Sequence, residues 1–138
     1  MDFYKAIDIL TPSVTGKRWT PLHPKTGKPF LVDESTPFSI TFMGTYAPLV
    51  KQAAKLAGDE RASVTGRGGV ITDDMRDREN ARFVARCAVS WTLAKDADGN
   101  DLAFSEDAVF ALFVDPKFSW MTGLAMAFIQ DDAGFLPA

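Results

Sequence analysis

Apolar and polar residues alternate from Phe38 to Phe42, which is the pattern of a half-buried strand. Phe38, Ile40 and Phe42 should face one side, and Ser39 and Thr41 the other. Further strand-forming side chains lie upstream, at Trp19, Phe30 and Val32. Proline cannot donate a backbone N–H, so pairing should be confined to edges and strand ends around Pro21, Pro24, Pro29 and Pro37. The pattern predicts a small N-terminal antiparallel hairpin or sheet of two or three strands.

Beyond Gly44 the apolar spacing becomes that of helices. A first helix should have Leu49, Ala53 and Leu56 on one face and end at Gly58, and a glycine-rich loop should follow over residues 59–71. A second helix should begin at an N-cap, Thr72, and run to about residue 93. Its apolar face consists of Phe83, Val84, Cys87, Ala88 and Trp91.

Two further helices complete the predicted fold. Ser105 should cap a short helix that Pro116 ends, and a last helix should span Phe118 to Leu136. Strands followed by a bundle of about four helices make an α+β fold. We expect residues 1–18 to be a leader segment, mobile unless a partner holds it, and residues 19–138 to form a single domain.

The composition is that of a globular protein without a general attraction to polyanions. The 138 residues suffice for one domain, and the net charge of -3 gives no pull toward nucleic acid or anionic membranes. The single cysteine, Cys87, permits no internal disulfide. No apolar run is long enough to span a bilayer, and the N-terminus lacks a secretory pattern. We therefore expect a soluble cytoplasmic protein.

Three motifs suggest ligand chemistry, but each departs from its requirement. The Gly27–Lys28 pair lacks the upstream glycine of a phosphate-binding loop, so a hairpin turn with a positive φ at Gly27 is favoured. In "DADGND", Gly99 is displaced from its place in a calcium loop beginning at Asp96, which favours a simple turn. His23 and Cys87 cannot form a zinc tetrad or a triad alone. No cofactor, metal or enzyme activity is expected.

A basic stripe on the second predicted helix has two interpretations. Arg78, Arg82 and Arg86 stand four residues apart and could contact phosphate. They could instead form a solvated face whose charge is partly offset by Asp74 and Glu79. The acidic whole favours the second interpretation, so nucleic acid is not an expected partner.

The last predicted helix is too apolar for one core-facing stripe. Either it is wrapped by the rest of the fold, or part of it meets another chain, since large exposed apolar patches mark interaction surfaces. Its methionines would let such a surface adapt to its partner. The candidate partner-binding residues are Phe118, Trp120, Met121, Leu124, Phe128, Phe135 and Leu136.

Several stretches from Trp19 onward form an ordered set: "HPKTGKPF", "FSITFMG", "CAVSWTL", "DADGNDLAFSEDAVFALFVDP" and "AGFLPA". Together they resemble the tail assembly chaperones of long-tailed bacteriophages and related prophage-like particles. The resemblance implies a non-enzymatic protein of the host cell cytoplasm. Such a protein binds the helical tape measure protein, helps recruit tail tube protein and is absent from the mature particle. Many members exist in two lengths, which would make this chain the short form.

The apolar last helix is consistent with that role on physical grounds. A chaperone of a long helix needs adaptable apolar grooves, and a homo-oligomer would add avidity to weak contacts. Two alternatives remain open: a structural virion component, such as a tail tube or head–tail joining protein, and a small nucleic-acid-binding regulator using the arginine stripe.

Overall fold

The computed structural model describes residues 3–32, 35–92, 94–95 and 98–136, and of residues 94–95 it describes the backbone alone. Within these ranges the helices are α1 Phe3–Ile7, α2 Leu10–Thr15, α3 Pro48–Gly66, α4 Asp73–Cys87, α5 Glu106–Val114, α6 Met121–Ile129 and α7 Asp132–Phe135. The strands are β1 Lys17–Trp19, β2 Ile40–Phe42, β3 Ala88–Trp91, β4 Ala94–Lys95 and β5 Asp101–Leu102. The predicted α+β class is confirmed, and α3 to α6 are its four longer helices.

The main sheet has three antiparallel strands in the order β1-β2-β3. Trp19 lies opposite Ile40, which in turn lies opposite Trp91, and the register with β3 shifts between Thr41 and Phe42. As the alternation predicted, Phe38, Ile40 and Phe42 are buried. Strands β4 and β5 form a separate two-stranded ribbon.

The prediction that the second helix continues to about residue 93 was wrong, because α4 ends at Cys87 and the chain becomes β3. Residue 93 itself lies outside the described residues. Long-range hydrogen bonds outweigh the helical pattern: Met43 N–H donates to the Cys87 carbonyl (3.0 Å) and Thr92 N–H to the Ser39 carbonyl (2.8 Å). The sheet is therefore completed by a strand that lies between helices in the chain.

Helix α4 is central to the helical layer, since it contacts α3, α5 and α6. The sheet packs against this layer through aromatic rings: Trp19 lies 6.3 Å from Phe113 of α5, and Phe42 lies 6.3 Å from Phe128 of α6, between ring centroids. The largest fully buried side chains include Phe42, Phe113, Ile40, Ile129, Val84 and Val109.

The sequence predicted that the first long helix ends at Gly58, and this prediction was wrong. Helix α3 continues to Gly66, so residues 59–66 of the predicted loop are helical. Glycine in a helix interior costs about 1 kcal/mol relative to alanine. Two ion pairs to α4 hold the extra turns: Arg61 with Glu79 (2.7 Å) and Glu60 with Arg86 (3.1 Å).

The predicted N-caps are both confirmed. The Thr72 hydroxyl accepts the Met75 N–H (3.1 Å), and the Ser105 hydroxyl accepts the Ala108 N–H (3.0 Å). The predicted single helix from Phe118 to Leu136 was wrong, because α6 begins only at Met121 and α7 is separate. Asp131 caps α7 by accepting the Gly134 N–H (3.1 Å), which a continuous helix would not allow.

The predicted leader contains α1 and α2, and β1 begins at Lys17 inside it. Gly44 N–H donates to the Ser13 carbonyl (3.0 Å), and the Lys17 ammonium donates to the Gly134 carbonyl. These contacts bring α2, β1 and α7 together at the end of β2. The mobility of the leader stays a prediction.

Candidate partner-binding site

An apolar groove of about 470 Å³ lies between the segment that precedes β2 and the corner that joins α5 to α6. We call it the hairpin groove. One wall consists of His23, Pro24, Phe30, Leu31 and Val32. The other wall consists of Leu112, Lys117, Phe118, Trp120 and Met121, and Phe38 contributes between them.

Backbone hydrogen bonds shape the first wall from a proline-rich segment that cannot form a long ladder. Residue pairs Leu22–Pro29 and Leu31–Pro37 form isolated bridges, and Phe38 N–H donates to the Phe30 carbonyl (2.7 Å). The segment thus doubles back twice while its apolar side chains line the groove.

His23 holds the turn at one end of this wall. Its Nδ1 accepts the Lys25 N–H (3.1 Å), and its carbonyl accepts the Gly27 N–H (2.8 Å). Gly27 has a φ of 69°, as the predicted hairpin turn requires. The histidine ring lies 5.5 Å from Phe30 between centroids, and Phe30 lies 5.9 Å from Trp120, so an aromatic row crosses the groove.

The second wall depends on the turn after α5. Pro116 follows the end of α5, and the Asp115 carbonyl accepts the N–H groups of Phe118 and Ser119 (2.9 Å each). The Asp115 carboxylate also accepts the Lys117 N–H (2.9 Å). This turn presents Phe118 and Trp120 at the surface with 40% and 41% of their areas exposed. A continuous helix would not give this arrangement.

Trp120 also lines a second cavity of about 520 Å³, which we call the α4 cleft. The α4 cleft is bounded by Asp74, Asp77 and Arg78 of α4, together with residues of the α5–α6 corner. The indole therefore stands between an apolar groove and a more polar cleft.

The seven predicted partner-binding residues do not form one surface. Phe118, Trp120 and Met121 line the hairpin groove, although Met121 itself is buried. Leu124 and Leu136 are exposed outside the groove. The other two pack inward: Phe128 lies 6.3 Å from Phe42 between ring centroids, and it lies 5.8 Å from the buried Phe135.

Sequence reasoning missed the first wall as part of a site. It identified Phe30 and Val32 only as strand formers, and it considered His23 only as a member of a zinc tetrad or a catalytic triad. The available signal was the proline spacing, because a segment that cannot pair along its length leaves apolar side chains such as Leu31 uncovered.

The arginine stripe is engaged within the fold. Arg82 bonds Glu106 (3.2 Å) and Asp107 (3.1 Å), and its guanidinium lies 3.8 Å from the Phe110 ring centroid. Arg86 pairs with Glu60 of α3. These partners come from neighbouring helices instead of the expected Asp74 and Glu79. The stripe therefore joins α3, α4 and α5, which leaves less of its charge for phosphate.

The other sequence candidates have structural roles. Burial raises the pKa of the Cys87 thiol to about 12, so the thiol stays protonated and unreactive at neutral pH. Gly99 has a φ of 82°, consistent with a turn, while Asp96 of the calcium hypothesis lies outside the described residues. In the described part of the chain, no group of three or more His, Cys, Asp or Glu side chains is placed to hold a metal ion.

Comparison of the chain with protein-family models, with curated proteins and with solved structures returns no match. Among the described helices, none combines the length and apolarity needed to cross a bilayer. The hairpin groove, with two half-exposed aromatic residues on one wall, is therefore the candidate surface for contact with another polypeptide.

Proposed function

We propose that this protein is a phage tail assembly chaperone whose hairpin groove binds a helical segment of the tape measure protein. It would act in the host cell cytoplasm as a homo-oligomer, assist the recruitment of tail tube protein and leave before the particle matures. The observation that carries the proposal is the turn that holds Phe118 and Trp120 half exposed beside an apolar groove.

Physical requirements of the role support this assignment. Aromatic residues that stand beside an uncovered pocket are typical anchors of protein recognition. An apolar groove suits an amphipathic helix, which satisfies its own backbone hydrogen bonds. The resemblance in sequence supplies the specific partner.

The experiment is co-purification with the tape measure protein encoded near its gene. Phe118→Ser and Trp120→Ser should each weaken capture by more than about tenfold, the usual scale of a central aromatic anchor. Leu56→Ser is the matched control, because Leu56 is 38% exposed on α3 and lies outside the groove. Circular dichroism must show all three variants folded.

Undiminished capture by the folded Trp120→Ser variant would contradict the proposal. So would the presence of the protein in purified mature particles by mass spectrometry, which would favour a structural virion component.

A further inference from the structure

The two cavities that meet at Trp120 differ in charge. Lys117 lines the hairpin groove, and two more lysines, Lys25 and Lys28, lie in the turn beside His23. The α4 cleft has Asp74 and Asp77 in its wall. A segment lying across Trp120 would therefore meet positive charge at one end and negative charge at the other.

Arg78 offsets only one of the two negative charges at the acidic end. It lines the α4 cleft, and its guanidinium carbon lies 5.6 Å from the centroid of the Phe110 ring, over which Arg82 also lies. The cleft wall therefore keeps a net negative charge, because two aspartates face one arginine.

We infer that the partner segment is an amphipathic helix with opposite charges at its two ends. Its apolar stripe contacts Phe118 and Trp120, its acidic end lies near Lys117, and its basic end lies near Asp74 and Asp77. This inference rests on the proposed function and adds to it the charge pattern and orientation of the bound helix.

A helix fits this surface better than an extended strand. Backbone groups in the first wall of the groove are already hydrogen-bonded within that wall: His23 N–H donates to the Lys28 carbonyl (2.8 Å) and Val32 N–H to the Thr36 carbonyl (2.9 Å). An extended partner would bring unpaired N–H and carbonyl groups to apolar side chains, which is costly. A helix brings none in its interior.

A second copy of this chain matches the surface less well. Its exposed apolar segment consists of Phe3, Tyr4, Ile7, Leu10 and Val14. Lys5 and Asp8 lie within that segment and not at opposite ends of it. The segment therefore lacks the separation of charge that the two cavities present.

The test uses two synthetic helical peptides with the same apolar stripe and the same composition. In the first, which we call the polar peptide, two glutamates lie at one end and two lysines at the other. In the second, the mixed peptide, each end carries one glutamate and one lysine. Both carry a photo-crosslinker at the same end, which is the lysine end of the polar peptide. Binding is measured by fluorescence anisotropy at low and high salt.

We expect the polar peptide to bind about threefold to tenfold more tightly than the mixed peptide, the scale of a few exposed charge contacts. The preference should shrink at high salt. The polar peptide should cross-link to α4, and the mixed peptide to both walls.

Charge-reversal variants give the matched comparison. Asp77→Lys should weaken binding of the polar peptide, whereas Asp59→Lys, at an exposed position of α3, should not. Lys117→Glu should likewise weaken it, and Lys55→Glu should not. All four positions are exposed, so folding should be retained.

Equal affinity for both peptides, or cross-links from the polar peptide at both walls, would overturn the inference. If the folded Trp120→Ser variant still lost capture of the tape measure protein, the proposed function would stand. Capture of the tape measure protein through Trp120 without binding of either peptide would also overturn the inference alone. If Trp120→Ser instead dissociated an oligomer and neither peptide competed, a second copy would occupy the groove and the inference would fail.

Discussion

Gly44 is a position where one added methyl group should destabilise the fold. A Cβ atom there would lie 2.6 Å from the Ser13 hydroxyl oxygen and 3.1 Å from two carbons of the Phe135 ring. Ser13 and Phe135 are both buried, so neither side chain can turn into solvent. Overpacking of this kind costs about 1–3 kcal/mol. Gly44→Ala should therefore lower the free energy of unfolding by that amount.

The same substitution at Gly58 should have the opposite effect. Gly58 lies inside α3, and a Cβ there would have no heavy atom within 4 Å apart from its chain neighbours and the helix backbone. Alanine is favoured over glycine in a helix interior by about 0.8–1 kcal/mol. Gly58→Ala should therefore raise the free energy of unfolding.

Urea denaturation followed by tryptophan fluorescence measures both variants under one condition. The midpoint should fall for Gly44→Ala and rise for Gly58→Ala, with unchanged slopes. A Gly44→Ala variant as stable as the parent would refute the packing of α2 and α7 at this glycine. A destabilised Gly58→Ala variant would refute the continuity of α3.

Two further predictions concern buried and paired groups. Because burial raises the pKa of the Cys87 thiol from 9.0 to about 12, the unfolded chain loses this proton first. The thiol's contribution to stability is thus complete below pH 9.0 and declines by up to about 1.4 kcal/mol per pH unit above it. Denaturation between about pH 8 and about pH 10 should show a steeper decline than in Cys87→Ala, and parallel curves would argue against the burial. Arg82→Met and Phe110→Leu should show a coupling free energy of about 0.5–2 kcal/mol in a double-mutant cycle, because the guanidinium lies over the ring. Additive effects would show that the stacking contributes nothing.

Local signals in the sequence predicted local structure well. The caps at Thr72 and Ser105 and the turn at Gly27 depend on residues within a few positions, and all three are confirmed. The alternation from Phe38 to Phe42 also suffices, because a strand with one apolar face has one way to bury it.

The failures arise where distant residues decide. Gly58 reads as a helix end until Arg61 and Glu60 are known to pair with α4. The segment Ala88–Trp91 fits a helical face equally well, and only pairing with β2 makes it a strand. The hairpin groove needs two segments about ninety residues apart to meet, which no local pattern encodes.

Cys87 ends α4 and Ala88 begins β3, so no loop separates the central helix from the edge of the sheet. A force applied to α4 or to β3 is therefore transmitted to the other element, because no flexible linker lies between them. Detaching β3 would also strip the Cys87 carbonyl of its Met43 donor and so fray the helix. The sheet and the helical layer should therefore unfold together, in a single cooperative transition.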